Sequence, residues 1–337
     1  MKYPLRSFLT GLSLGAALLS SCSKNTESDP SIAGIAVANA SFSVLEDAAV
    51  RGGVVEVLSN KNPNDPQGNY TVFAPNNDAF AKLGLTKATD LQALQTSFLT
   101  STLYYHVTGG NLAGSALVAG STSPSALAGI TRRIVSRNNS RYVNGSRILA
   151  TDVKASNGTV HVIDKVLLAT GADVVNSAIA LSTSKVFVQP DLQYLVYAVV
   201  YCELGAALSE GSPQLTVFAP TDQAFKDLYR QFGIQLNEPK DLEKLPNAKA
   251  TLTAVLLNHV LLGTQAGKLT QFTSELPESA SLPTLGGGSL TFGAFTNGVL
   301  TVKGEGNGTT SANMAIPDIQ CTNGVVHVID RILLPKL

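Results

Sequence analysis

Residues 70–80 read YTVFAPNNDAF and residues 215–225 read LTVFAPTDQAF. Residues 157–168 read NGTVHVIDKVLL and residues 323–334 read NGVVHVIDRILL. Two blocks that return in the same order require two copies of one folding unit, each burying its own core. A chain of 337 residues has the length for two such units, and neither needs a metal or a disulfide to fold. The four histidines divide evenly, His106 and His161 in the first copy, His259 and His327 in the second.

The first block is explained by folding. TVFA alternates β-branched and aromatic residues and reads as a strand carrying Phe73 or Phe218. Pro75 and Pro220 end it, because proline has no ladder donor. Asn76 and Thr221 are good helix N-caps, and an apolar helix face follows from Phe80 and Phe225. The second block opens on an Asn-Gly turn and continues as a nearly unbroken apolar run, which suits a central strand covered on both faces. His161 and His327 lie within it, and a buried imidazole needs partners for both nitrogens. They are expected to tie a loop to the strand, with Asp164 and Asp330 accepting backbone amides where the strand ends.

Between the blocks, LQTSFLTSTLYYHVTGG and KATLTAVLLNHVLLG place apolar residues three and four apart, the pattern of an amphipathic helix. His106 and His259 close these helices just before Gly109 and Gly263, where exposure is expected. Short runs such as ITRRIV, RYVNGSRIL, SLTFGAF and GVLTVKG then suggest hairpins. Helices and strands in separate stretches give an α+β class.

The chain opens with Lys2 and Arg6, a short apolar run over residues 8–19, and then Leu19, Ser20, Ser21 and Cys22. The run is too short to span a bilayer comfortably and reads as an export leader. Its end resembles a bacterial lipobox, which implies that Cys22 becomes the acylated first residue and anchors the protein in a membrane. Ser23 resembles a signal for the outer membrane, with the domains facing either the periplasm or the outside. The organisation expected is a leader over 1–22, a polar tether over 23–32, a first domain over 33–170 and a second over 171–337.

Composition excludes several functions. Lysine plus arginine and aspartate plus glutamate number 24 each, and losing Lys2 and Arg6 with the leader leaves a slight acidic excess, so no nucleic-acid partner is expected. Tryptophan is absent and aromatics are 6%, which leaves no evident stacking platform for sugars. Cys202 and Cys321 read as buried thiols, with a disulfide between them as the alternative. Isolated histidines with no HExxH and no CxxC nominate neither a zinc site nor a catalytic cluster, and no cofactor is expected.

Taken together the blocks resemble the fasciclin domain. That family is marked by a TVFAPT-x-x-AF block, a central Tyr-His or Asn-His, and a terminal NG-x-x-HVID-x-x-L block, and both copies carry all three in order. The resemblance implies two tandem domains, each a wedge-shaped β-sandwich packed with several helices, and a role in adhesion rather than catalysis. It also implies candidate contact positions: Tyr105 with His106, Asn258 with His259, Asp152 with Val153, and Asp318 with Ile319. The function expected is a non-enzymatic envelope lipoprotein that binds a surface, matrix or envelope partner, protein or glycan. The alternative is an accessory lipoprotein that holds a glycan or peptide for an outer-membrane uptake system, at the glycine-rich insert of the second copy or in the groove between the domains. The second copy is the longer one, with extra residues around RQFGIQLNEPKDLEKLPNA and in the glycine-rich stretches LGGGSL and GEGNGTT, where surface recognition tends to reside.

Overall fold

The computed structural model describes residues 29–127, 129–183, 191–209, 211, 214–262 and 270–336. The leader, Cys22 and the tether up to residue 28 lie outside these residues. Ser31, in the last part of the expected tether, caps a helix, Ile32–Ala38, whose Ile32 is buried in the first domain's core.

The first domain contains seven strands: β1 (Tyr70–Pro75), β2 (Val107–Gly109), β3 (Thr122–Pro124), β4 (Thr131–Arg137), β5 (Ser140–Val143), β6 (Ser146–Ala155) and β7 (Gly158–Ile163). A short strand, β8 (Leu168–Ala169), follows. The second domain repeats the set as β9 (Leu215–Pro220), β10 (Val260–Leu262), β11 (Ser281–Pro283), β12 (Ser289–Phe292), β13 (Thr301–Gly304), β14 (Ala312–Gln320) and β15 (Gly324–Ile329). The strands of each domain follow one hydrogen-bonded path, β2-β1-β7-β6-β5-β4-β3 and β10-β9-β15-β14-β13-β12-β11.

The two sequence blocks of each copy are neighbours in space. β1 and β7 pair in parallel with Phe73 opposite His161, and β9 and β15 pair in parallel with Phe218 opposite His327. Strand alternation then divides their side chains between two cores. Val72, Ala74 and Val160 face the helices Ser43–Arg51 and Thr96–His106. Phe73 and Ile163 face the other way and meet Ile134 of β4 and Val143 of β5, so the path folds over on itself and closes a sandwich. Phe218 and Ile329 meet Phe292 and Val302 in the same way. Each fully buried phenylalanine contributes about 1.5–3 kcal/mol.

Local chemistry sets the element ends. The Asn76 side chain accepts the Ala79 amide at 2.9 Å and the Thr221 hydroxyl accepts that of Ala224 at 3.2 Å, so both helices after the first block are capped. Glycine is required at the start of β7, where a Cβ on Gly158 would lie 1.9 Å from the Tyr70 carbonyl oxygen. Cys202 and Cys321 are free and buried. No single helix among the described residues is long and apolar enough to cross a membrane.

Candidate functional site

Each domain carries the same clip around its strand histidine. His161 donates from Nε2 to the Leu112 carbonyl at 2.8 Å and accepts the Asp152 amide on Nδ1 at 3.2 Å. The Asp152 carboxylate in turn accepts the Gly114 amide at 2.7 Å. In the second domain His327 donates to Gln271 at 3.0 Å, accepts the Asp318 amide at 3.1 Å, and the Asp318 carboxylate accepts the Thr273 amide at 2.6 Å. Both aspartates sit where the strand ladder slips register, with φ of 63° and 67°. Aspartate is among the few L residues that adopt this left-handed conformation readily, which accounts for its place at the bulge.

His106 and His259 form a second staple. Nδ1 of each donates to the carbonyl four residues earlier, Thr102 or Val255, at 2.7 Å. Nε2 accepts the Leu167 amide at 2.9 Å or the Leu333 amide at 2.8 Å, which ties the helix end to the segment after the second block. The exposure expected for these two is not found: each is 2% exposed. The segments after the second blocks fold back over the helix ends and cover them. Burial pulls the pKa of both down to about 4 and also lowers His161 and His327. Each imidazole already faces one donor and one acceptor, so a second proton would meet an amide N–H.

The other candidate contact positions divide between core, surface and domain junction. Tyr105 is fully buried; its hydroxyl accepts from Asn144 Nδ2 at 2.6 Å and donates to Gln320 of the second domain. Burial drives its phenol pKa far above the ordinary value. Asn258 is buried too, donating to the Leu333 carbonyl at 3.1 Å and accepting from Thr284 at 3.1 Å. Val153 is half-buried and Ile319 is in the second domain's core. Asp152 alone of the eight is exposed, and the Gly114 amide holds its carboxyl below the usual range.

Asp318 is held between the domains. Its carboxylate pairs with Lys165 of the first domain at 2.8 Å, both side chains at or below 10% exposure. Burial opposes its charge, but Lys165, His327 and the Thr273 amide together hold its pKa below the ordinary value. The Asn144–Gly145 turn lies against it, and a Cβ on Gly145 would fall 1.9 Å from Asp318 Oδ2. Around this pair Arg133 binds Glu275 at 2.6 Å, Arg137 donates to the Leu276 carbonyl at 2.7 Å, and Ser274 donates to the Asn144 carbonyl at 2.5 Å. β8 pairs in parallel with β14 through Leu168–Ile319 and Ala169–Gln320. These bonds cross the junction between the domains, one of the places named for a ligand.

The remaining motif residues hold the frame. Asp164 accepts the Arg147 amide and Asp330 the Asn313 amide, each at 2.7 Å and each at the start of the neighbouring strand. Sequence reasoning missed the asparagines of the two Asn-Gly turns. Asn157 accepts the Ile32 amide at 2.9 Å and donates to the Leu58 and Asn60 carbonyls; Asn323 accepts the Val174 amide at 2.9 Å and donates to Leu208 and Ser209. The only signal was the repetition of Asn-Gly, which a turn explains by itself. Among the described residues no group of three or more His, Cys, Asp or Glu side chains converges as metal ligands would.

The chain matches the Fasciclin domain family over residues 40–169 and 190–335, most of its length. It is 28% identical over 270 residues to the transforming growth factor-beta-induced protein ig-h3 of Sus scrofa, a match covering 80% of this chain and 35% of that one. It is 34% identical over 144 residues to protein sll1483 of Synechocystis, covering 42% of this chain and 76% of that one. The chain thus spans about a third of ig-h3. A solved FAS1 domain pair from the insect cell adhesion molecule fasciclin I matches with a TM-score of 0.39 at 18% identity, covering 89% of this chain and 95% of that one.

Proposed function

The chain belongs to the fasciclin-domain family, and from that premise we propose that it is a non-enzymatic envelope lipoprotein, acylated at Cys22, that binds a surface, matrix or envelope partner. Fasciclin domains are found in cell-adhesion proteins. The observation that carries the reading is how the recurring polar side chains are used. The four histidines and Asp318 have internal partners for their polar atoms, so they support shape rather than chemistry.

Contact with a partner then falls to surface loops, above all the longer loops of the second domain. Tyr105 and Asp318 would reach a partner only if the domains came apart. The test is a binding assay of the intact protein against envelope and matrix fractions, with the exposed Gln235, Asn237 and Lys240 of the second domain's longer segment replaced together by alanine. Loss of binding with an unchanged unfolding midpoint is expected. Full retention of every interaction would overturn the loop assignment. Labelling with palmitate in cells tests the anchor separately; it is expected in the natural chain and lost in Cys22→Ala.

A further inference from the structure

Beside helix Ala248–Asn258 the second domain holds an apolar chamber of about 490 Å³, walled by that helix, by Phe232 and Leu245 of the inserted segment, and by Ile332 and Leu334. None of its lining residues is charged. Its volume falls in the range of small-molecule sites, about 300–1,000 Å³. The first domain provides an internal comparison. The groove at the same place there, with Phe80 for Phe225, Leu99 for Leu252 and Val166 for Ile332, has about 20 Å³. Where the first domain has Phe98 at the groove, the second has Thr251. Phe232 stands 63% exposed at the rim, an aromatic ring left in water.

A polar recess of about 140 Å³ adjoins the chamber and shares Leu228, Gly306, Ile332 and Leu334 with it. Asp227, Asp330 and Arg331 line the recess. Asp227 is paired with Arg230 and Asp330 binds Asn313. Arg331 forms no ion pair among the described residues, and its Nε is buried without a hydrogen-bond partner. Its counterpart in the first domain is Lys165, which pairs with Asp318. An unmatched guanidinium beside an uncharged chamber suits one chemistry: a hydrocarbon tail ending in an anionic head.

We propose that this chamber and recess bind a single-tailed anionic amphiphile, its tail against Thr251 and Leu252 and its carboxylate or phosphate on Arg331. The chamber takes Phe232 and Leu245 from the same inserted segment, but Gln235, Asn237 and Lys240, which test the loop contacts above, do not line it, so the two proposals are tested by different residues. The test is equilibrium dialysis of the full chain, freed of lipid and detergent, with radiolabelled palmitate, a lysophosphatidic acid and uncharged 1-hexadecanol, each kept below its aggregation threshold. One anionic amphiphile per chain is expected, and whichever head binds more tightly identifies it. Thr251→Phe, which installs the first domain's residue, is expected to weaken binding on the order of tenfold or more without lowering the unfolding midpoint. Ala254→Phe, one turn along the same wall, provides a second obstruction should the first ring turn outward. Arg331→Gln is expected to weaken the two anionic probes while leaving hexadecanol unchanged. No binding of any probe, binding indifferent to both obstructions, or anionic binding indifferent to Arg331→Gln would overturn the proposal. The last two results would place the ligand elsewhere or remove its charged head.

Discussion

A histidine whose ring nitrogens face one donor and one acceptor is committed to a single neutral tautomer, and all four in this protein are placed so. His106 and His259, held near pKa 4, refuse protons that an unfolded chain begins to take up near pH 6.5. Their contribution to stability is therefore complete above about pH 6.5 and is lost progressively as pH falls towards 4, by roughly 3 kcal/mol for each. Urea unfolding at pH 7.5, 5.5 and 4.5 is expected to show the midpoint falling over that interval, and the double variant His106→Gln with His259→Gln to flatten the fall. A slope unchanged in the double variant would mean that other groups carry it. At the junction, Lys165→Met leaves Asp318 buried without its cation and is expected to cost about 3–5 kcal/mol, much of it restored when Asp318→Asn is added. The histidine role was legible in the sequence because burial inside an apolar strand demands partners. The exposure expected at His106 failed because the helical pattern ends there, while the covering segment arrives from sixty residues away.

At the scale of elements, the Asn-Gly turns bind helices as well as reversing strands. The Asn157 side chain joins the start of helix Ile32–Ala38 to the end of helix Val55–Ser59 and to the strand turn, with three hydrogen bonds. Asn157→Ala removes them and strands buried backbone groups, at an expected cost of roughly 2–4 kcal/mol. Hydrogen exchange should rise first in helix Ile32–Ala38. Exchange that rises evenly over the domain would show that the residue acts only as a turn former. The strands of both blocks, the capped helices after the first block and the hairpin runs were readable from alternation, caps and turn residues; the helices Ile32–Ala38, Ser43–Arg51 and Val55–Ser59 were not. The parallel contact of the two blocks was not, since pairing across some ninety residues leaves no mark on local periodicity. Nor was the slipped register at Asp152 and Asp318, because a bulge is one residue of backbone geometry rather than a pattern.

For the whole molecule, the buried Lys165–Asp318 pair, the arginine contacts and the β8–β14 pairing couple two domains that each own a core. Calorimetry is expected to show one transition whose calorimetric and van't Hoff enthalpies agree, and two in Gly145→Ala, where the added methyl meets Asp318. Two transitions in the natural chain would show that the junction is too weak to couple them. The sequence by itself determined that there are two fasciclin domains of α+β class and that the Phe73 and Phe218 strands and the histidine strands lie inside them, because those properties follow from duplicated blocks and from the periodicity of apolar side chains. The tertiary structure alone decided that Tyr105 and Asp318 meet the other domain, and that one groove is closed by Phe98 while its counterpart stands open. Those outcomes depend on which distant surfaces come into van der Waals and hydrogen-bond contact, and a linear pattern of residue types carries no record of that.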